Sequence, residues 1–554
     1  MLDDGLSYET LYAGFRWPIP ERYSIAQDCC DQWAAREPDR AAIIHEQDDG
    51  SILSVTYRQI RDQANRLANA LSAHGIAAGD RVAILLPQRP ETAIAHIACY
   101  KIGAIAVPLA SVFAVEALTY RFQNAGIGTA ITDREGCEKI IALSGDAPDL
   151  RLIIDVDGPS GTSDGPVHGL AGLISRASDR FETPTFDPDQ PAMMIYTSGT
   201  TGPPKGALHG HRVLLGHVPG VQMPHEALPQ PGDVLWTPAD WAWAGGLLNV
   251  LLPGLRFGVP VVSYAFRKFD PEKAFTLMAD HKIRNLFVPP TALKMMRPLP
   301  DPRARFDLAL RTIGSGGEAL GSETYDWARD ALGLTINEFY GQTECNLVLA
   351  SSAALGVSRA GAIGKPVPGH DVAIIDETGA RCPTGSLGEI AVRRPDPVMF
   401  LEYWRNPEAT REKFIGDWLK TGDRGMMDED GYVHFIGRDD DVITSAGYRI
   451  GPAEIEDCLV SHPAVALAAV VGKPDPIRTE IVKAYVVVAP GHAADAALGD
   501  TIRAHVRNRL AAHEYPREVE FVADIPLTTT GKVIRRHFRD QARREAEGEA
   551  GGSA

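Results

Sequence analysis

Tyr196-Thr197-Ser198-Gly199-Thr200-Thr201-Gly202-Pro203-Pro204-Lys205-Gly206 follows directly on the apolar run Met193-Met194-Ile195. Four Ser/Thr hydroxyls, three glycines and one lysine share this loop. Glycine lets backbone N–H groups approach an anion, hydroxyls add donors and lysine adds charge, so the loop suits a polyphosphate. The spacing is not that of the ordinary P-loop, Gly-x4-Gly-Lys-Ser/Thr, because Lys205 follows Pro203-Pro204 and precedes Gly206. A flexible Gly/Thr turn is the other reading of the same composition.

On both sides of the loop, apolar runs alternate with helical patterns. Arg81-Val82-Ala83-Ile84-Leu85-Leu86 reads as a buried strand with a helix behind it over 91–102. Ala104-Ile105-Ala106-Val107-Pro108 is the next strand, 115–125 the next helix, and Arg284-Asn285-Leu286-Phe287-Val288 a further strand. Such runs imply α/β layers with mostly parallel sheets. Residues 155–169 are rich in Gly, Pro, Ser and Asp and read as an exposed loop. From Gly361 to Val398 short strands and turns suggest a β-rich subdomain, with Asp371-Val372-Ala373-Ile374-Ile375 and Gly388-Glu389-Ile390-Ala391-Val392 as examples.

Acids cluster at Gly437-Arg438-Asp439-Asp440-Asp441, marking a boundary before a small α+β domain of about 115 residues. The expected fold class is therefore α/β: a large N-terminal domain of sheet layers with a β-rich subdomain, then a small mobile α+β domain. The domains are read as 1–437, a hinge at 438–441, a lid domain at 442–540 and a disordered tail at 541–554, where small polar residues dominate.

Bulk properties narrow the function class. A chain of 554 residues exceeds the about 250–300 residues at which single cores stop growing. Its 44% apolar and 23% charged content is ordinary for a globular protein. A net charge of −17 argues against a nucleic-acid partner, which requires phosphate neutralisation, yet leaves local positive potential for an anionic substrate. The seven cysteines show no CxxC spacing and fit reduced thiols in a cytoplasm better than disulfides or zinc. The acidic start Met1-Leu2-Asp3-Asp4-Gly5 is unlike a signal peptide, and the apolar stretches at 102–115 and 247–255 fall short of the about 20 residues of a membrane span. The expectation is a cytoplasmic enzyme without a membrane span.

Four further motifs accompany the loop: Glu338-Phe339-Tyr340-Gly341-Gln342-Thr343-Glu344, Lys420-Thr421-Gly422-Asp423, Gly437-Arg438-Asp439-Asp440 and Pro526-Leu527-Thr528-Thr529-Thr530-Gly531-Lys532. Their order and spacing, over residues 30–540, resemble the core motifs of the adenylate-forming superfamily: acyl-CoA synthetases, luciferases and peptide-synthetase adenylation domains. Within it the chain resembles AMP-forming acyl-CoA synthetases of the medium-chain or branched/aromatic branch. That resemblance implies that a carboxylate, ATP and CoA become acyl-CoA, AMP and diphosphate through an acyl-adenylate.

It also implies roles. Thr197, Ser198, Gly199, Thr200, Thr201, Gly202 and Lys205 would hold the phosphates. Glu344, with Thr201, would hold Mg²⁺, Thr343 would lie beside the phosphates, and Gln342 would belong to the ATP/AMP site. Gly316, Gly317 and Glu318 with Tyr340 would form the adenine slot, Tyr340 stacking on the base, and Glu338, Phe339 and Gly341 would belong to the same ATP/AMP site. Asp423 would accept from both ribose hydroxyls, and Arg438 and Arg449 would approach ribose or phosphate. Lys532 would enter the site on a C-terminal loop to offset the repulsion between two anions during adenylation. Ser445, Ala446, Gly447 and Tyr448 would line the pantetheine tunnel, with Ala446 standing where many members have serine. Arg478 and Arg507 would meet CoA phosphates, and Tyr515 would flank its adenine. Asp440 would be the hinge.

For the acyl group, Trp241, Trp243, Ala244 and Gly245 would supply an apolar lining, and Asp240 is read as structural. Acetate-specific relatives carry tryptophan where this chain has Gly341, so glycine there is expected to remove a wall and admit a longer, branched or aromatic acid. The segment around Lys532 also resembles sites at which acyl-CoA synthetases are switched off by lysine acetylation, which implies an acetyltransferase and deacetylase as partners. Alternative functions are loading of a carrier protein, a luciferase-like oxidase, an inert nucleotide sensor, or an NAD(P) oxidoreductase read from the GxGxxA pattern at Gly314–Ala319. The GxSxG pattern at 161–165 lacks the strand and helix of a nucleophile elbow, and His209 and His211 lack metal-ligand spacing.

Overall fold

The computed structural model describes the chain except for Met1, Asp3, Asp4 and residues 159–165, 198–202, 439–440, 446–447, 476–477, 511–513, 529–531 and 552–554. At 444, 448, 449, 454 and 548–551 only the backbone is described.

The continuous apolar runs become strands buried on both faces. One sheet runs, in spatial order, through Lys365–Pro366, Cys345–Ala350, Ile336–Gln342, Thr312–Gly316, Asn285–Phe287, Leu235–Trp236, Val261–Ser263, Ala41–Glu46 and Ile52–Thr56. It is parallel from Ile336–Gln342 to Ala41–Glu46 and antiparallel at both edges. A second sheet orders Glu402–Tyr403, Lys205–Gly210, Pro191–Thr197, Ile105–Pro108, Arg81–Leu85, Thr129–Thr132, Leu152–Asp155 and Val167–Gly169. Parallel strands need crossover helices. Pro90–Ile102 is one: Pro90 starts it where no N–H is needed, and Gly103, at φ 71°, ends it in the left-handed conformation.

The β-rich subdomain is an antiparallel sheet of Val372–Ile375, Gly388–Arg393, Trp418–Met427 and Phe414–Ile415, with Val433–Arg438 beside Trp418–Met427. The small domain packs Pro452–Val460, Ala496–Arg509 and Arg535–Gly551 on a sheet of Tyr448–Ile450, Ile443–Ser445, Thr479–Val488, Val465–Asp475 and Glu518–Phe521. The expected layers, subdomain and small domain are all present, with helix and strand ends displaced by a few residues. No helix among the described residues is long and apolar enough to cross a membrane.

One expectation is overturned. Of the residues read as a disordered tail, 541–551 continue the helix Arg535–Gly551, and 552–554 lie outside the described residues. Phe538 stacks on Tyr485 with ring centroids 4.3 Å apart, Ala542 is fully buried, and Glu545 pairs with the buried Lys483, which also meets Glu520 at 2.7 Å. A polar helix docks through a narrow stripe of contacts because its ammonium partners, sunk in the sheet, need carboxylates from above.

Candidate active site

The phosphate-loop motif spans a hairpin, with Thr197 paired to Lys205 across the strands Pro191–Thr197 and Lys205–Gly210. Ser198, Gly199, Thr200, Thr201 and Gly202 lie outside the described residues. Lys205 Nζ stands 5.2 Å from the centroid of the Tyr403 ring, and the Tyr403 hydroxyl donates to Glu344. Lys413 Nζ approaches the same carboxylate at 4.0 Å. Glu344 is 7% exposed, so this buried acid is held by the Tyr403 hydroxyl with the Lys413 ammonium nearby. Neither Tyr403 nor Lys413 was foreseen, since neither belongs to a motif.

The second cluster surrounds Asp423, which lies opposite Arg438 on adjacent antiparallel strands. Tyr340 Oη donates to Asp423 Oδ2 at 2.6 Å and Gln342 Nε2 donates to the same oxygen at 2.9 Å. Arg438 approaches Oδ1 at 3.4 Å. Desolvation and the neighbouring carboxylate push the Tyr340 phenol well above its ordinary range, so it remains a donor. Asp423 is thus oriented before any ligand arrives, and Oδ1 faces the cation. This geometry suits an acceptor for a ribose.

The residues read for the adenine slot meet where Thr312–Gly316 and Ile336–Gln342 run parallel. A Cβ on Gly316 would lie 2.4 Å from Phe339 O, so only glycine fits there. Gly317, at φ 98°, has nothing within 4 Å of a Cβ position and leaves one side open for a flat ring. Glu318 Oε2 accepts from Thr291 Oγ1 at 2.8 Å, while Oε1 is buried without a partner among the described residues. Burial pushes the Glu338 carboxyl up to about 8, with Asp457 adding to the rise.

Lys532 reaches this cleft from the small domain. Its backbone is pinned by Thr528, whose Oγ1 accepts from Lys532 N at 2.9 Å and whose N–H donates to Lys532 O at 2.7 Å. The side chain is walled by protein yet open to water at the cleft mouth. Desolvation holds its ammonium below the usual lysine range, with Glu318 and Asp423 pulling it back up and Arg438 lowering it further. Across the same interface Asp457 meets Lys294 at 3.6 Å.

The residues read for CoA are on the small domain. Ser445 is buried and pairs with Tyr448 and Thr479 in the sheet, while Ala446 and Gly447 lie outside the described residues. The Arg507 guanidinium stands 5.7 Å from the Tyr515 ring centroid. Arg478 donates its backbone N–H to Asp475 at 2.7 Å. The Arg449 side chain and Asp440 also fall outside the description. Of the expected hinge, Arg438 is tied to Asp423, whereas Asp441 is held by Arg539 at 2.8 Å and Arg535 at 3.4 Å in the last helix.

In the acyl region Trp241 is fully buried and Trp243 packs edge-on to Phe113 with centroids 5.7 Å apart. A Cβ on Gly245 would lie 2.9 Å from Phe287 Cε1, and Phe287 packs on Phe339, joining this segment to the strand that carries Gly341. Asp240 accepts from Ala242 N at 3.0 Å, and burial raises its carboxyl to about 6. A Cβ on Gly341 would lie 2.8 Å from Asn346 Cα and 2.9 Å from Asn346 Oδ1. The antiparallel strand that follows brings the Asn346 carboxamide against that position. His209 and His211 are buried in the interior.

Residues 30–404 match the AMP-binding enzyme model and residues 454–532 match the AMP-binding enzyme C-terminal domain. The mitochondrial acyl-coenzyme A synthetase ACSM2 of Rattus norvegicus is 34% identical over 533 residues, covering 94% of this chain and 92% of the relative. Among solved structures, the anthranilate CoA ligase AuaEII in complex with anthranoyl-AMP superposes with a TM-score of 0.87 at 27% identity, over 96% of this chain and 99% of that one. The acyl-CoA synthetase of Brucella canis superposes with a TM-score of 0.75 at 31% identity, over 97% and 99%. The chain belongs to the AMP-binding enzyme family, the adenylate-forming superfamily that its motifs resemble.

Proposed function

We propose that this chain is an AMP-forming acyl-CoA synthetase acting on medium-chain, branched or aromatic acids rather than acetate. It is an acid–thiol ligase that couples a carboxylic acid to CoA at the expense of ATP. One juxtaposition supports the reading above all: Lys532 of the small domain stands in the cleft with Glu318, Asp423 and Arg438 of the large domain.

In the first step a carboxylate oxygen attacks the α-phosphorus of ATP, and the bond to diphosphate breaks. Both reactants are anions, and the Lys532 ammonium between them stabilises the charge that develops in line. Asp423, already fixed by Tyr340 and Gln342, holds the ribose, and Lys205 stays at the phosphate end. Glu344 and Thr201 would hold Mg²⁺, which when bound neutralises phosphate charge. A single buried carboxylate suits an ion that shares its shell with substrate phosphates and water, and no group of three or more His, Cys, Asp or Glu among the described residues could hold a metal unaided.

In the second step the CoA thiol attacks the acyl-adenylate carbonyl and AMP leaves. The strand at Ser445 and Tyr448, with Arg478, Arg507 and Tyr515, serves this step once the small domain turns about Asp440. Arg438 is tied to the large domain and Asp441 to the small one, which supports a pivot between them. Acetylation of Lys532 would remove its charge and block the first step alone. Seven free cysteines suit a reducing compartment, for which we propose the cytoplasm. A hydroxamate screen from acetate through decanoate, with isobutyrate and benzoate, tests the substrate class. The highest kcat/KM is expected on a longer, branched or aromatic acid, and a maximum on acetate contradicts it.

A further inference from the structure

Three polar side chains lie sunk in the apolar interior behind Gly341: His217 is 0% exposed, Asn249 3% and Asn346 8%. His217 Nδ1 lies 2.8 Å from the carbonyl oxygen of Val213, which can only accept, so Nδ1 carries the proton. Burial lowers the imidazole to about 4, so the ring is neutral and its Nε2 is an acceptor. Asn346 Nδ2, 3.0 Å away, must therefore be the donor, and it also donates to Asn249 Oδ1 at 2.8 Å. Both amide hydrogens are used, and the carboxamide cannot flip without setting its oxygen against two acceptors. Oδ1 is left facing Gly341, with no hydrogen-bond partner among the described residues.

We propose that Asn346 Oδ1 is a fixed hydrogen-bond acceptor on the wall of the acyl pocket, and that the acid activated carries a hydroxyl or amine donor where it passes Gly341. The inference rests on reading Gly341 as part of that pocket in an acyl-activating enzyme. A built acceptor discriminates strongly, because an analogue without the donor leaves a buried polar atom unpaired. Asn346 sets specificity, and His217 and Asn249 position it.

The test compares isosteric pairs on the wild-type enzyme by acid-dependent ATP–diphosphate exchange: ortho-, meta- and para-hydroxybenzoate against the matching methylbenzoates, and 3-hydroxybutyrate against 3-methylbutyrate. At least one hydroxylated acid is expected to exceed its methyl partner in kcat/KM by at least ~10²-fold. Asn346→Leu should erase or reverse that ratio. His217→Leu, which frees the carboxamide to rotate, should lower the same ratio without slowing the methyl acid, a readout that a merely structural role would not move. Equal use of both members of every pair by the wild type overturns the inference while leaving acyl activation intact, and so does a preference that survives in Asn346→Leu. Absence of exchange with every acid overturns acyl activation and this inference together.

Discussion

The two sides of the cleft are built differently. On the large domain Asp423 and Glu344 are 5% and 7% exposed and gripped by Tyr340, Gln342 and Tyr403, on sheets whose strands cannot move singly. On the small domain Lys532 is held through its backbone by Thr528, and its side chain reaches into a cleft still open to water. In the proposed mechanism the large-domain side preorganises groups needed in both steps, whereas the small-domain side delivers a charge needed once. Mutating each side should therefore affect the two half-reactions unequally.

The largest effect is expected for Lys532→Ala. It should lower acyl-adenylate formation by at least ~10²-fold, the range for removing one electrostatic stabiliser, while supplied acyl-AMP is still converted to thioester. Equal loss of both half-reactions would erase the distinction between the two sides. Asp423→Asn should weaken both half-reactions by about 10-fold or more, because a charged acceptor contributes about 1.5–3 kcal/mol. Retention of either half-reaction at full rate would mean that the ribose is held elsewhere.

The pH dependence sharpens the contrast. Burial favours the neutral amine of Lys532, so kcat/KM for adenylation should fall on the alkaline side below the ordinary lysine pKa of 10.5. Thioester formation from supplied acyl-AMP should lack that limb. A shared alkaline limb would point to a group used in both steps.

Glu338 should give the smallest effect, on stability. Its carboxyl titrates at about 8 in the fold against 4.5 ordinarily. Between those values the unfolded chain has lost a proton that the folded protein keeps, so the acid costs stability as pH rises through this window. Glu338→Gln should match the wild type near pH 4 and exceed it at pH 8.5 by at least ~1 kcal/mol in urea unfolding. A constant difference at all pH values would rule out the raised carboxyl.

The parts legible in the sequence were those whose chemistry is local. The motif ending in Glu344 and the one ending in Asp423 each place a needed group within a few residues of its supporting glycine or tyrosine, so order and spacing revealed them. Long-range partners left no such trace. Tyr403 meets Glu344 from 59 residues away, and Lys483 meets Glu545 from 62 residues away. The terminal helix was missed because its outward faces are uniformly polar and its docking depends on charges buried in a distant strand. What faces Gly341 was not legible either, because a missing side chain says nothing of what turns back beside it. Here a hairpin with a two-residue turn brings Asn346 against it.

Exchange of labelled diphosphate into ATP, measured with magnesium and an acid from the screen but without CoA, isolates the first step. The enzyme is expected to catalyse acid-dependent exchange under these conditions, because the acyl-adenylate forms before the thiol is needed. Failure to exchange with every acid unless CoA is present, or exchange that does not depend on the acid, would contradict a mechanism that proceeds through an acyl-adenylate.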